Sequence, residues 1–197
     1  MANDYIGVVS PEGIAIYPHL TQPDTKFNAM GEYKVSLSVD KSEAAPLIGN
    51  IETAMKQAEK MIPPGKRKKV AEPPYFDELD DEGQETGRVV FKFKMKAKVN
   101  TKDGRTITMS PRLFDAEGTP AEGIESIWGG SELRISADLI PFYVAAVGAG
   151  VSLRLKAVQI INLVEGGGAS ASNYGFDATE GYVAPKVEKF EEEEAVY

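Results

Sequence analysis

Residues 90–99 read VFKFKMKAKV, and no other stretch constrains the fold so tightly. Successive side chains of a strand point to opposite faces. The segment therefore presents Lys92, Lys94, Lys96 and Lys98 on one face and Phe91, Phe93, Met95, Ala97 and Val99 on the other. This is a half-buried strand with one apolar and one basic side. Same-face neighbours lie about 7 Å apart, roughly the phosphate spacing of an extended nucleic-acid strand. A solubilising face that guards an exposed strand is the plainer use of such lysines. Against it stands the mutual repulsion of four like charges, which a polyanion relieves.

The charge is unusual because the chain as a whole is acidic, at -8 over 197 residues. From Glu165 onward there are eight acidic residues against two lysines, so the first 164 residues carry only about -2. This asymmetry points to an acidic interaction tail on a nearly neutral body. The composition of GGGASASNYG marks 165–185 as a flexible linker, and KVEKFEEEEAVY at 186–197 has too little apolar content to fold alone. Residues 1–164 form the folded domain in this reading.

Within that body, GEYKVSLSV at 31–39 alternates again, with Lys34 on its polar side. A helix is expected from about Glu43 to Met61, because Leu47, Ile51, Met55, Ala58 and Ile62 recur at helical spacing. Ser42 is its expected N-cap, and Pro63-Pro64-Gly65 stops it. A basic cluster (Lys66 to Lys69) and an acidic loop (Glu72 to Glu85) follow. Lys102-Asp103-Gly104 supplies turn chemistry for a hairpin whose second arm, RTITMSPRLF, faces Ile107, Met109 and Leu113 inward and Arg112 and Phe114 outward. Strands Glu132 to Phe142 and Gly150 to Leu163 place Arg134, Arg154 and Lys156 outward. Short strands with one inserted helix argue for a mainly β, closed or nearly closed barrel.

Aromatic residues accompany the cations. Phe114 shares the parity of Arg112, Phe142 shares that of Arg134, and Trp128 sits in a loop before Gly129-Gly130. Proteins hold single strands with cations along the phosphates and rings against unpaired bases. Phe142 follows Pro141 at a strand end, so a place in the core is the competing expectation.

The chain resembles the single-stranded DNA-binding proteins encoded by short-tailed, podovirus-type bacteriophages. The resemblance rests on YPHLTQPD at 17–24, GEYKV at 31–35, PYFD at 74–77, FKFK at 91–94 and LFDAEG at 113–118. It continues through GGSEL at 129–133, LIP at 139–141, AVGAGVSLRL at 146–155, GYVA at 181–184 and the acidic tail. It implies an OB-fold, a five-stranded Greek-key barrel with one inserted α-helix and a disordered acidic C-terminal tail. It further implies a non-catalytic protein of phage DNA replication, recombination and repair in the host cytoplasm, and a homodimer. Lys94 would lie in the DNA-binding groove. Glu191, Glu192, Glu193, Glu194 and Tyr197 would contact the replicative DNA polymerase and the helicase-primase, Tyr197 standing where the family has a terminal phenylalanine. The chain departs from the pattern in having Met30 where an arginine is expected and Lys96 where a tyrosine is expected. The second departure exchanges a stacking contact for charge.

Other chemistries find little footing. The absence of cysteine excludes disulfides and thiolate metal sites. Glu78, Asp80, Glu82 and Gly83 begin like a calcium loop, but its twelfth position is Val89. Gly65-Lys66-Arg67 lacks the spacing of a phosphate loop, and His19, the single histidine, has no partner of its kind. No catalytic constellation, metal site or cofactor site is assembled. MANDYIGVV does not read as a secretory signal, and the weakly polar run from Pro141 to Val151 is too short to span a bilayer, so no membrane association is expected. Two rival functions remain. One is an OB-type module for RNA or oligosaccharide, and the other is a divalent-metal nuclease using the acids between Asp77 and Glu85.

Overall fold

The alternation at 90–97 is realised in three dimensions: Phe91, Phe93, Met95 and Ala97 are buried while Lys92, Lys94 and Lys96 are exposed. The computed structural model describes residues 5–26, 28–101 and 103–165. The tail residues Glu191 to Glu194 and Tyr197, and the linker from 166, lie outside the described residues.

In chain order the elements are β1 (Ile6–Val9), β2 (Gly13–Asp24), β3 (Glu32–Asp40), α1 (Lys41–Glu59), β4 (Tyr75–Leu79) and β5 (Glu85–Lys96). There follow β6 (Lys98–Asn100), β7 (Thr106–Thr108), β8 (Arg112–Phe114), β9 (Glu132–Val144) and β10 (Gly148–Asn162). Five of these strands close on themselves. β2 pairs β3, β3 pairs β5, β5 pairs β10 in parallel, β10 pairs β9, and β9 returns to β2. This is the five-stranded Greek-key OB barrel. β1, β4 and β8 extend it by pairing with β9, β5 and β10.

The core is built from the inward positions of these strands, among them Leu37, Val39, Phe91, Phe93, Leu133, Ile135, Leu139, Leu153 and Leu155. α1 lays Ala44, Leu47, Ile51, Ala54 and Ala58 against β1, β3, β5, β9 and β10. Its start differs from expectation. Asp40 caps the helix and Ser42 does not: Asp40 Oδ1 accepts hydrogen bonds from the Ser42 backbone N–H and hydroxyl at 2.9 and 2.6 Å. Asp40 keeps the extended backbone of the strand it ends, which frees its carboxylate for the exposed N–H groups. Among the described residues no helix is long and apolar enough to cross a membrane.

Two segments depart further. The stretch expected as an acidic loop contains β4, an antiparallel partner of β5 with Phe76 opposite Val90. Asp80 makes the turn, its Oδ1 accepting from the N–H groups of Glu82 and Gln84. The expected long hairpin arm at 105–114 instead divides. β7 pairs β6 in a separate two-stranded sheet, and β8 turns to run parallel to β10. Ile107, expected inward, is consequently 51% exposed, whereas Met109 and Leu113 pack against the core.

Closure depends on close approach at Gly13, which pairs with Val39 on one side and Leu133 on the other. A Cβ there would sit 2.5 Å from the Ser38 carbonyl oxygen and 2.8 Å from Leu37 Cγ. Gly13→Ala is expected to lower unfolding free energy by about 1–3 kcal/mol, the range of an overpacked core. Gly49, exposed on α1 with nothing within 4 Å of a built Cβ, is the control. Gly49→Ala should raise stability by about 1 kcal/mol through helix propensity. Urea denaturation of the two variants tests both signs.

Candidate nucleic-acid interface

Barrel closure brings cations from three strands into one register. Lys34 of β3 stands opposite Lys94 of β5, and Lys94 stands opposite Arg154 of β10. Like charges directly opposite one another destabilise a sheet. The outer two members are compensated: Lys34 forms an ion pair with Asp24, and Arg154 Nη2 lies 2.8 Å from Asp138 Oδ2. Lys94, between them, has no acidic partner within ion-pair distance among the described residues. Lys92 and Lys96 flank it on β5, Lys92 opposite Ser36 and Lys96 opposite Glu32. Lys98 does not continue the row. The chain leaves the barrel at Ala97, whose N–H donates to the Gly31 carbonyl, and Lys98 falls on β6 opposite Thr108.

Asp138 organises the far side of this surface. It lies on the outward parity of β9 and is only 8% exposed. Its Oδ1 accepts from Lys156 Nζ at 3.0 Å, so one carboxylate holds two cations. A bulge makes this possible, because the β9–β10 register shifts between Leu155 and Ala157 and leaves Lys156 as the extra residue. Burial works against ionisation of Asp138, but the hydrogen bonds from Arg154 and Lys156 outweigh it and hold its pKa below the ordinary value. Asp24 is lowered in the same direction by the Lys34 hydrogen bond and the Lys26 backbone N–H. The ring of Tyr5 covers the Arg154 guanidinium, 5.1 Å from its centroid.

Past the bulge the outward set on β10 changes parity, which places Arg134, Gln159 and Phe114 across three adjacent strands. Arg112 stands opposite Ala157 on β8. A groove of about 760 Å³ runs among Arg112, Phe114, Asp138, Arg154 and Lys156. A smaller one beside it includes Phe114 and Arg134. Phe142 stays out of the buried core. It is half-buried on the outer face, its ring against Gly150, where a Cβ would lie 2.7 Å from Cζ. Trp128 belongs to a different groove, beside β2.

Phe76 was not among the residues expected here. It is 46% exposed, with Lys92 Nζ 4.8 Å over its ring. Its signal in the sequence was the β-like PYF triplet inside a stretch dominated by acids. Three of the acids there are engaged elsewhere: Asp77 and Glu85 lie 2.8 and 3.1 Å from Lys41 Nζ, and Glu78 accepts from the Thr86 hydroxyl. No three His, Asp or Glu side chains converge as a metal site among the described residues.

Fold and surface together define an OB-type module with a row of cations on its outer face, of which Lys94 has no acidic partner among the described residues. The family profile described as "Single-stranded DNA-binding protein, Bacteriophage T7" matches residues 12–163, and the chain belongs to that family. The single-stranded DNA-binding protein of Escherichia phage T7 is 33% identical over 115 residues, 56% of this chain and 46% of the relative, so that match spans less than half of the relative's length. That of Enterobacteria phage T3 is 26% identical over 185 residues, 84% of this chain and 79% of the relative. The crystal structure of gp2.5, the single-stranded DNA-binding protein encoded by bacteriophage T7, superposes with a TM-score of 0.69 at 26% identity, covering 92% of this chain and all of the other. The bacteriophage Enc34 single-stranded DNA-binding protein, solved in complex with ssDNA, shares the fold with a TM-score of 0.56 at 15% identity, over 82% of this chain and 89% of that one.

The lowered pKa of Asp138 has a pH signature. Its contribution to stability is present above the ordinary value of 3.8 and is lost as pH falls through the lower folded value. Asp138→Asn should therefore flatten the acid limb of a thermal-midpoint-against-pH curve, leaving the part due to Asp24, Asp40 and Asp103, whose carboxyls are lowered in the same direction. An unchanged acid limb would show that Asp138 does not hold its two cations in solution.

Proposed function

We propose that this chain is a non-catalytic single-stranded DNA-binding protein of phage DNA replication and recombination. Its body, residues 1–164, coats single strands through the cationic outer face. The observation that carries this reading is the Lys34–Lys94–Arg154 register, three cations side by side with the central one uncompensated. Phosphates of a single strand supply the missing charge, following Lys92, Lys94 and Lys96 along β5 and reaching Arg112, Arg134 and Lys156 in the adjoining grooves. In this reading Phe114 and Phe142 stack bases, and so does Phe76 beside Lys92. Membership of the phage family and the names of the T7 and T3 relatives support the same substrate.

In this reading the acidic segment 186–197 serves two ends. Glu191 to Glu194 and Tyr197 mimic a short single strand and compete weakly for the cationic face. The linker holds the mimic at an effective concentration on the order of millimolar. DNA displaces it, and the freed segment recruits the replicative polymerase and helicase-primase.

Salt titration of binding to oligo-dT, with oligo-U and duplex DNA as comparisons, is the direct test. If Lys92, Lys94 and Lys96 each meet a phosphate, the slope of log K against log salt should flatten by about 0.7 for each lysine replaced by alanine. Thermal stability should not fall in the Lys94 and Lys96 variants, because outward lysines repel one another. Unchanged affinity of a Lys94→Ala, Lys96→Ala double variant would return the row to a solubilising role.

The tail makes a separate prediction. Deleting residues 186–197 should tighten single-strand binding at low salt, the gain shrinking as screening rises. The same deletion should abolish binding to the cognate polymerase in a pull-down. Equal DNA affinity with and without the tail, together with intact polymerase binding, would reduce the segment to a solubility device.

A further inference from the structure

A groove of about 780 Å³ lies between the outer face of β2 and residues 125–130, on the opposite side of β3 from the lysine row. Its walls are apolar and aromatic: Ile14, Ile16 and Tyr17 from β2, Ile127 and Trp128 from the loop. Both rings are presented outward. Tyr17 is 84% exposed and Trp128 52% exposed.

Neither ring is left there by slack chain. Tyr17 is held at φ +47°, the one non-glycine residue with positive φ among the described residues. The β2–β3 register explains it. Ile16 pairs with Ser36 and His19 with Lys34, so β2 fits an extra residue between them and Tyr17 is thrown outward. A bulky residue in the left-handed region is strained, and such strain gathers at functional sites. The Trp128 backbone is pinned on two sides. Its N–H donates to the Val164 carbonyl at 2.9 Å, and its carbonyl accepts from the buried Ser131 hydroxyl at 2.8 Å. Gly130 N–H and Ser131 carbonyl in turn bond Ala15 on β2. The loop that carries Trp128 is thus fixed to the strand that carries Tyr17.

One residue of the groove pairs with the cationic face. His19, at its edge, stands opposite Lys34, and the register runs on through Lys94 to Arg154. Tyr17 is separated from β5 by two strand spacings, roughly 10 Å. The groove holds Glu125 and no lysine or arginine, so it suits the uncharged part of a nucleotide and repels the phosphate.

We propose that Tyr17 and Trp128 form a second base-stacking subsite, which receives unpaired bases of the same single strand whose phosphates lie on the lysine row. This rests on the single-stranded DNA reading above. It adds a path: the strand crosses β3 from the β5 lysines and lodges its bases beside β2.

Trp128 is the only tryptophan in the chain, so its emission reports this groove alone. The full chain is titrated with fluorescein-labelled oligo-dT, following label anisotropy and, with unlabelled oligo, tryptophan emission. Emission should be quenched saturably, with the same midpoint as anisotropy. Tyr17→Gly, which relieves the strained φ, and Trp128→Ala should each weaken binding roughly 5- to 100-fold, the range of one base stack. Trp128→Phe should retain most affinity. The salt slope should stay that of the parent chain in all three, because no phosphate contact is removed. Saturating anisotropy with unaltered emission, and full affinity in Tyr17→Gly, would overturn the subsite while leaving DNA binding intact. Emission that changes with protein concentration in the absence of DNA would assign the groove to a second copy of the chain and overturn it equally. If anisotropy does not change at all, the DNA reading itself fails and takes the subsite with it.

Discussion

The parallel pairing of β5 with β10 is the contact on which the rest of this structure depends. It consists of two aligned residue pairs, Leu153 with Phe93 and Arg154 with Lys94. The inward pair joins two large buried side chains and closes the barrel. The outward pair sets an arginine beside a lysine. Burial of Phe93 and Leu153, worth about 1.5–3 kcal/mol for each side chain, is what allows the outward repulsion to persist. One register therefore fixes the core and the electrostatic strain of the surface together, and neither can be changed without the other.

How much of this was legible in the sequence varied with the regularity of each strand. The lysine strand alternates as read up to Ala97 and 31–39 alternates throughout, whereas Lys98 and Val99 leave the barrel on β6 and Val99, read as apolar-facing, is exposed. α1 showed in its spacing, with an error of two residues at the start because Asp40 ends a strand and caps a helix at once. Irregular strands hid themselves. β2 carries the Tyr17 bulge, which breaks its alternation. β10 changes parity at Lys156, so outward residues fall on even numbers before the bulge and odd numbers after it. The 105–114 segment read as one hairpin arm because its composition is strand-like throughout. Nothing local states that β7 and β8 pair with different partners.

The candidate surface was legible as a set of cations and obscure as an arrangement. Alternation gave the direction of each lysine, but which strands stand side by side is a property of closure. Lys34, Lys94 and Arg154 are distant in sequence and adjacent in the sheet. Lys98, contiguous with the row in sequence, is off it. Asp138 escaped notice for the opposite reason. An acid on an outward strand position looks like ordinary surface until the bulge turns two cations toward it.

Net charge therefore says less about this chain than the way its acids are assigned. In the body, Asp77 and Glu85 hold Lys41, Asp80 holds a turn, Asp40 caps α1, and Asp24 and Asp138 fix Lys34, Arg154 and Lys156. Each of these carboxylates has a structural partner, and each pKa the structure shifts among Asp24, Asp40 and Asp138 moves downward, toward the charged form. None reaches Lys94, and Lys92, Lys94 and Lys96 stand without an ion pair among the described residues on β5, between β3 and β10. The body's acids leave that row uncompensated by ion pairs, although acids outnumber bases in the chain as a whole. The two cations held by Asp138 differ from Lys94. Asp138 holds Arg154 and Lys156 within 3.0 Å of one carboxylate, so less side-chain freedom remains to be lost at either than at the unpaired Lys94.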